Sequence, residues 1–98
     1  MTDVNGPIKV LVVDDSPLVC QVLGRLLEMD PALRVIGYAA DGKEAVEKTF
    51  QLEPDLITMD IRMPGMDGLE ATEKIMAYRP TPILIVTSAR DRRGMQVT

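Results

Sequence analysis

The run Ile8-Lys9-Val10-Leu11-Val12-Val13-Asp14-Asp15-Ser16-Pro17 decides the fold. Six residues, apolar except for Lys9, stop abruptly at two aspartates. A short Val-rich run that is apolar on both faces is the signature of a buried parallel strand. Ser16 then reads as a helix N-cap, with Pro17 at the first helical position, where its missing N–H costs nothing. Leu18, Val19, Val22, Leu23, Leu26 and Leu27 recur at helical spacing until Asp30-Pro31 stops the pattern.

The same unit repeats outward from there. Val35 to Ala40 reads as a second strand. Asp41-Gly42 is a turn with Asp41 as cap, and Ala45, Val46, Thr49, Phe50 and Leu52 line one face of a helix that ends before Pro54. Leu56 to Met59 is a third strand, ending at Asp60. The segment Met63-Pro64-Gly65-Met66-Asp67-Gly68 carries turn chemistry throughout. Leu69, Thr72, Ile75 and Met76 give the next helix its apolar stripe. Pro80-Thr81-Pro82 is a rigid connector to a fourth strand, Ile83 to Val86, followed by Thr87-Ser88. Strand and helix alternating through short loops imply an α/β protein whose parallel sheet is covered by helices on both faces.

Composition narrows the function. Ninety-eight residues make one domain, and 46% hydrophobic with 27% charged residues is an ordinary globular balance. Eleven basic against fifteen acidic residues leave a net charge of −4, with no His and no Trp. This excludes His-based catalysis, a His-ligated metal, and DNA affinity driven by bulk positive charge. The single cysteine, Cys20, cannot form an internal disulfide or a thiolate zinc site, and reads as an inert core residue. No apolar run approaches the ~18–20 residues that span a bilayer, so the expected location is the cytoplasm, with no membrane partner. Tyr38 and Tyr78 read as packing residues and the seven methionines mostly as core filler. Arg90, Arg92 and Arg93 against Asp91 make the last ten residues basic, which concentrates the acidity in the preceding 88.

Three aspartates sit where acidic residues normally do not, at the ends of buried strands: Asp14 and Asp15 after the first, Asp60 after the third. In doubly wound sheets the ligand crevice lies beyond the carboxyl ends of the strands, where the strand order reverses. Neighbouring strands are about 4.8 Å apart, so the three carboxylates can converge on one small volume. Such a cluster repels itself unless a hard cation intervenes, and oxygen-only ligation suits Mg²⁺ or Mn²⁺. An aspartate can also attack phosphorus and become an acyl phosphate. Asp60 suits that role because Pro64, Gly65 and Gly68 in the following turn leave space above it. Asp14 and Asp15 are then metal ligands. Thr87, at the end of the fourth strand, can donate its hydroxyl to a phosphoryl oxygen.

Three stretches carry a family resemblance: Val10-Leu11-Val12-Val13-Asp14-Asp15-Ser16, Met59-Asp60-Ile61-Arg62-Met63-Pro64-Gly65-Met66-Asp67-Gly68, and Ile83-Leu84-Ile85-Val86-Thr87. Together they resemble the receiver domains of two-component response regulators. The resemblance implies a flavodoxin-like doubly wound parallel sheet of order 2-1-3-4. It implies that Asp60 accepts phosphate from a histidine kinase, and that Mg²⁺ is held by Asp14, Asp15, Asp60 and the backbone carbonyl of Arg62. It further makes Thr87 the switch hydroxyl and Gly68 the turn residue before the third helix. Asp30-Pro31, Val35-Ile36-Gly37, Ile75-Met76 and Arg79-Pro80-Thr81-Pro82 look like the receiver half of the chemotaxis protein-glutamate methylesterases. In that branch the output domain lies in cis and the receiver makes no direct contact with nucleic acid. A receiver attached to a DNA-binding output is the alternative. A Mg²⁺-dependent aspartyl-phosphate phosphohydrolase is more remote, because the position two residues after the nucleophile, an acid in those enzymes, is Arg62.

Against the family pattern, residues 1–98 read as a single receiver domain that is C-terminally incomplete. The fifth strand, its helix and the Lys that pairs with the phosphoryl group have no counterpart, and Lys43 and Lys74 fall on helices. On this reading the fourth strand is an apolar edge, a template for pairing with a second copy.

Overall fold

The computed structural model of the chain describes residues 6–86. Strand and helix alternate through it as β1 (Ile8–Val13), α1 (Pro17–Leu27), β2 (Leu33–Ala39), α2 (Gly42–Leu52), β3 (Leu56–Met59), α3 (Gly68–Tyr78) and β4 (Ile83–Ile85). The strands form one parallel sheet of order β2-β1-β3-β4, the flavodoxin-like arrangement that the sequence implies.

The apolar run 8–13 sits at the centre because both of its faces must be covered. Leu11 and Val13 point to one side with Ile57 and Met59, and there meet Ala45, Ala71 and Ile75 of α2 and α3. Val10 and Val12 point to the other, where Cys20, Leu23 and Leu27 of α1 cover them. Each Val, Leu or Ile removed from water in this way contributes roughly 1.5–3 kcal/mol.

Helix starts follow local chemistry. Ser16 Oγ accepts the Val19 amide at 3.2 Å, Asp41 accepts that of Glu44 at 2.8 Å, and Asp67 accepts that of Glu70 at 2.9 Å. Each satisfies an amide that the helix itself leaves unpaired. Before Pro54, α2 ends at Glu53 in the left-handed region, φ 51°.

Several expectations are corrected. β2 begins at Leu33, two residues early, and its pairing with β1 slips between Val10 and Leu11 so that Gly37 faces Leu11. The described β4 ends at Ile85. The buried stripe of α3 is Gly68, Ala71 and Ile75, while Leu69 and Met76 are exposed. Leu69 and Met76 each lie about 100° round the axis from Gly68 and Ile75, off the side that meets the core. Phe50 is exposed on α2, and Leu18, Val19, Val22 and Leu26 are exposed on α1. Their spacing is helical and on α1 they share one face, but it is the face opposite the buried Cys20 and Gly24. Tyr78, Met29 and Met76 lie on the surface, whereas Met59 and Met63 are core. Tyr38 is partly exposed, its ring beside Gly24 of α1.

Candidate metal centre

Hydrogen bonds that continue the ladder past the strand ends bring the acidic residues level. The Asp14 amide donates to Ala39 O at 3.0 Å and the Asp60 amide to Val13 O at 3.0 Å. Asp14 is held further: its Oδ1 accepts the Ser16 amide at 2.9 Å and its carbonyl accepts from Cys20 Sγ at 3.3 Å. Burial pushes the Cys20 thiol up, and the nearby Asp14 charge adds to this, so the sulfur stays protonated and unreactive near neutrality.

Carboxylate oxygens of Asp14, Asp15 and Asp60 all lie within 4.8 Å of one another. Asp14 and Asp60 are buried and Asp15 is exposed, so the cluster opens to water on one side. Asp60 is only 3% exposed, and its Oδ1 is buried without a hydrogen-bond partner among the described residues. A buried carboxylate oxygen left unpartnered is costly unless a ligand completes it. Octahedral Mg²⁺, with bonds of about 2.1 Å, spaces its oxygens roughly 3–4 Å apart, so a small contraction of this cluster seats the ion. The donor set is all hard oxygen. The residues fit a divalent cation.

Beyond Asp60 the chain loops through Ile61, Arg62, Met63 and Pro64, which with Asp67 line an open hollow of about 500 Å³. Met63 is buried in the core and Arg62 is exposed. Gly68 closes the loop: its amide donates to Ile61 O at 2.8 Å, and its Cα lies so near the Asp60 carbonyl that a Cβ would come within 2.1 Å of that oxygen. A second hollow, of about 430 Å³, opens on the β2 side of Asp14 and Asp15, with Gln21, Tyr38 and Glu44 on its wall. Hydrogen bonds from the Ala40 amide and then from Lys48 hold the Glu44 carboxyl below the usual carboxylate range. Sequence reasoning did not single out Glu44 for this hollow; its position three residues after the cap Asp41 was the available signal.

Thr87 lies outside the described residues. Val86, just before it, donates its amide to Met59 O at 2.9 Å, beside the strand that delivers Asp60.

A family model, the response regulator receiver domain, matches residues 10–97. The chain belongs to this family. The receiver is 50% identical over 95 residues to a protein-glutamate methylesterase/protein-glutamine glutaminase of Symbiobacterium thermophilum, covering 97% of this chain and 26% of that protein. It is 56% identical over 88 residues to a second such protein, from Carboxydothermus hydrogenoformans, covering 90% of this chain and 25% of the relative. Among solved structures, the response regulator domain of Thermotoga maritima CheB superposes with a TM-score of 0.82 at 46% identity, over 89% of this chain and 65% of that one. The receiver thus spans about a quarter of the length of these curated relatives, and it is of the CheB type. No helix among its described residues is long and apolar enough to cross a membrane.

Proposed function

We propose that this receiver is the phosphoacceptor of a two-component chemotaxis system, and that Asp60 takes a phosphoryl group from the phosphohistidine of a kinase. The observation that carries this is Asp60, whose Oδ1 is buried with no hydrogen-bond partner among the described residues and whose carboxylate lies within 4.8 Å of two others. In the step, a carboxylate oxygen of Asp60 forms a bond to phosphorus as the phosphorus–nitrogen bond breaks, and the electron pair returns to the donor imidazole. Asp14, Asp15, Asp60 and the backbone carbonyl of Arg62 would hold the Mg²⁺, with Mn²⁺ an acceptable substitute. When bound, that ion supplies the positive charge that offsets the transferred oxygens. Thr87 donates its hydroxyl to the new phosphoryl group. The output regulated in cis is a chemoreceptor glutamate methylesterase, as the names of the curated relatives suggest, and the whole operates in the cytoplasm.

Incubation with Mg²⁺ and acetyl phosphate tests the reading. One acid-labile phosphate per chain is expected, on Asp60, and beryllofluoride is expected to bind only when Mg²⁺ is present. Continuous turnover of the phosphodonor would instead indicate a phosphohydrolase. Absence of both the label and Mg²⁺-dependent beryllofluoride binding would reject a phosphoacceptor role.

A further inference from the structure

The loop from Ile61 to Gly68 has a second anchor, on a different element. Gly42, the first residue of α2, donates its amide to Met66 O at 3.0 Å. The approach is too close for any side chain: a Cβ on Gly42 would lie 2.4 Å from Met66 O and 2.9 Å from Met66 C. Those are backbone atoms, so the neighbour cannot yield by rotating a side chain. Gly42 is buried, and Met66 packs against the core beside α2. The amide belongs to the first turn of α2, where helix N–H groups have no partner of their own and the helix carries partial positive charge. A carbonyl docked there satisfies both.

We propose that Gly42 is a positioning residue of the acidic site: its bare Cα lets the Met66 carbonyl dock on α2, and that dock fixes the loop that carries Arg62 past Asp60. The two anchors bracket the loop. Gly68 ties its end to the Ile61 carbonyl and packs against that of Asp60, Met66 ties its crown to α2, and Arg62 lies in the span between. The proposal rests on the reading that the Arg62 backbone is a metal ligand. Loss of a group that orients a ligand typically costs 10–100-fold in metal affinity. A glycine opening a helix is otherwise a poor choice, since Gly is about 1 kcal/mol worse than Ala in helical positions. The docked carbonyl supplies a physical reason for it.

The test compares wild type, Gly42→Ala and Gly37→Ala. The last is a control, because a Cβ on Gly37 would meet only side-chain ends, Leu52 Cδ1 at 2.8 Å and Leu11 Cδ1 at 3.5 Å. Two measurements are made well below the unfolding midpoint: calorimetric titration with Mg²⁺, and metal-free amide exchange of Gly42 and Gly68 by NMR. Gly42→Ala is expected to weaken Mg²⁺ binding about tenfold or more and to speed exchange at Gly68, while Gly37→Ala moves neither. If Gly42→Ala does not fold, wild type carries the test: a Gly42 amide protected well beyond the free-peptide rate supports the dock, and exchange at the free-peptide rate overturns it. Unchanged Mg²⁺ affinity and unchanged Gly68 exchange in the folded variant overturn the proposal. Wild type that binds no Mg²⁺ overturns the metal-site reading instead, and Gly68 exchange then still reports whether the dock holds the loop.

Discussion

Gly68→Ala is expected to destabilise this receiver more than a typical surface substitution and to degrade its acidic site at the same time. The new Cβ would sit 2.1 Å from the Asp60 carbonyl oxygen, 2.8 Å from Ile61 Cα and 2.9 Å from Asp60 C. All three are backbone atoms of the segment that leaves the central sheet, so relief requires either α3 or the Asp60 backbone to move. Overpacking of this kind costs roughly 1–3 kcal/mol and occasionally more, against about 1 kcal/mol gained from better helix propensity. A net loss of about 2 kcal/mol corresponds to a melting temperature lower by roughly 10 °C in a domain of this size. The distinguishing feature is location. The Gly68 amide bond to Ile61 O, 2.8 Å in length, is the nearest clamp on the residue after Asp60, so Mg²⁺ affinity should fall together with stability. Calorimetric melts with and without Mg²⁺ check both. A variant as stable as wild type, binding Mg²⁺ equally well, would show that the close approach is not a constraint.

The sheet and the acidic cluster were legible in the sequence for one physical reason. Val10 to Val13 and Ile57 to Met59 are buried on both faces, and such runs leave few alternatives to a central parallel strand. Once those strands are neighbours, Asp14, Asp15 and Asp60 must meet, because the residues that end adjacent strands are held level by the ladder itself. Helix faces were less legible. Leu69 and Met76 suit a buried stripe by size and polarity, but each lies one residue, about 100°, round the axis from the buried Gly68 and Ile75. Sequence hydrophobicity reports how much a residue gains by burial, not which side of a helix meets the sheet. On α1, apolar residues at 18, 19, 22 and 26 extend beyond the face that meets the sheet, so periodicity alone could not separate the two sides. The Gly42 and Gly68 contacts were invisible for a related reason, since a turn glycine looks the same whether it serves a left-handed φ or a close backbone approach. Neither residue has a left-handed φ; both serve close approach.

Neutralising Asp60, the proposed phosphoacceptor, should produce a crossover in stability. Asp60→Asn keeps the shape of the side chain and removes one of three negative charges that lie within 4.8 Å of one another. Two unit charges at that separation repel by about 3 kcal/mol at an effective permittivity near 20, and the exposed side of the cluster screens part of this. The new amide group can also donate to the neighbouring carboxylates, where the buried Asp60 Oδ1 makes no hydrogen bond among the described residues. Metal-free Asp60→Asn is therefore expected to be more stable than wild type by about 1 kcal/mol, a rise of roughly 4–8 °C in melting temperature. Saturating Mg²⁺ should reverse the ranking. A ligand at a hundred times its dissociation constant stabilises the native state by about 2.7 kcal/mol, and the variant, with one anionic ligand fewer, should collect much less of that. Acetyl phosphate should label wild type and leave Asp60→Asn unlabelled, since an amide does not provide the attacking carboxylate oxygen. Calorimetric melts at several Mg²⁺ concentrations, run beside the labelling, test both halves. If the metal-free variant melts below wild type, the three carboxylates are not in mutual repulsion, and if Mg²⁺ stabilises both proteins equally, the ion does not bind among them.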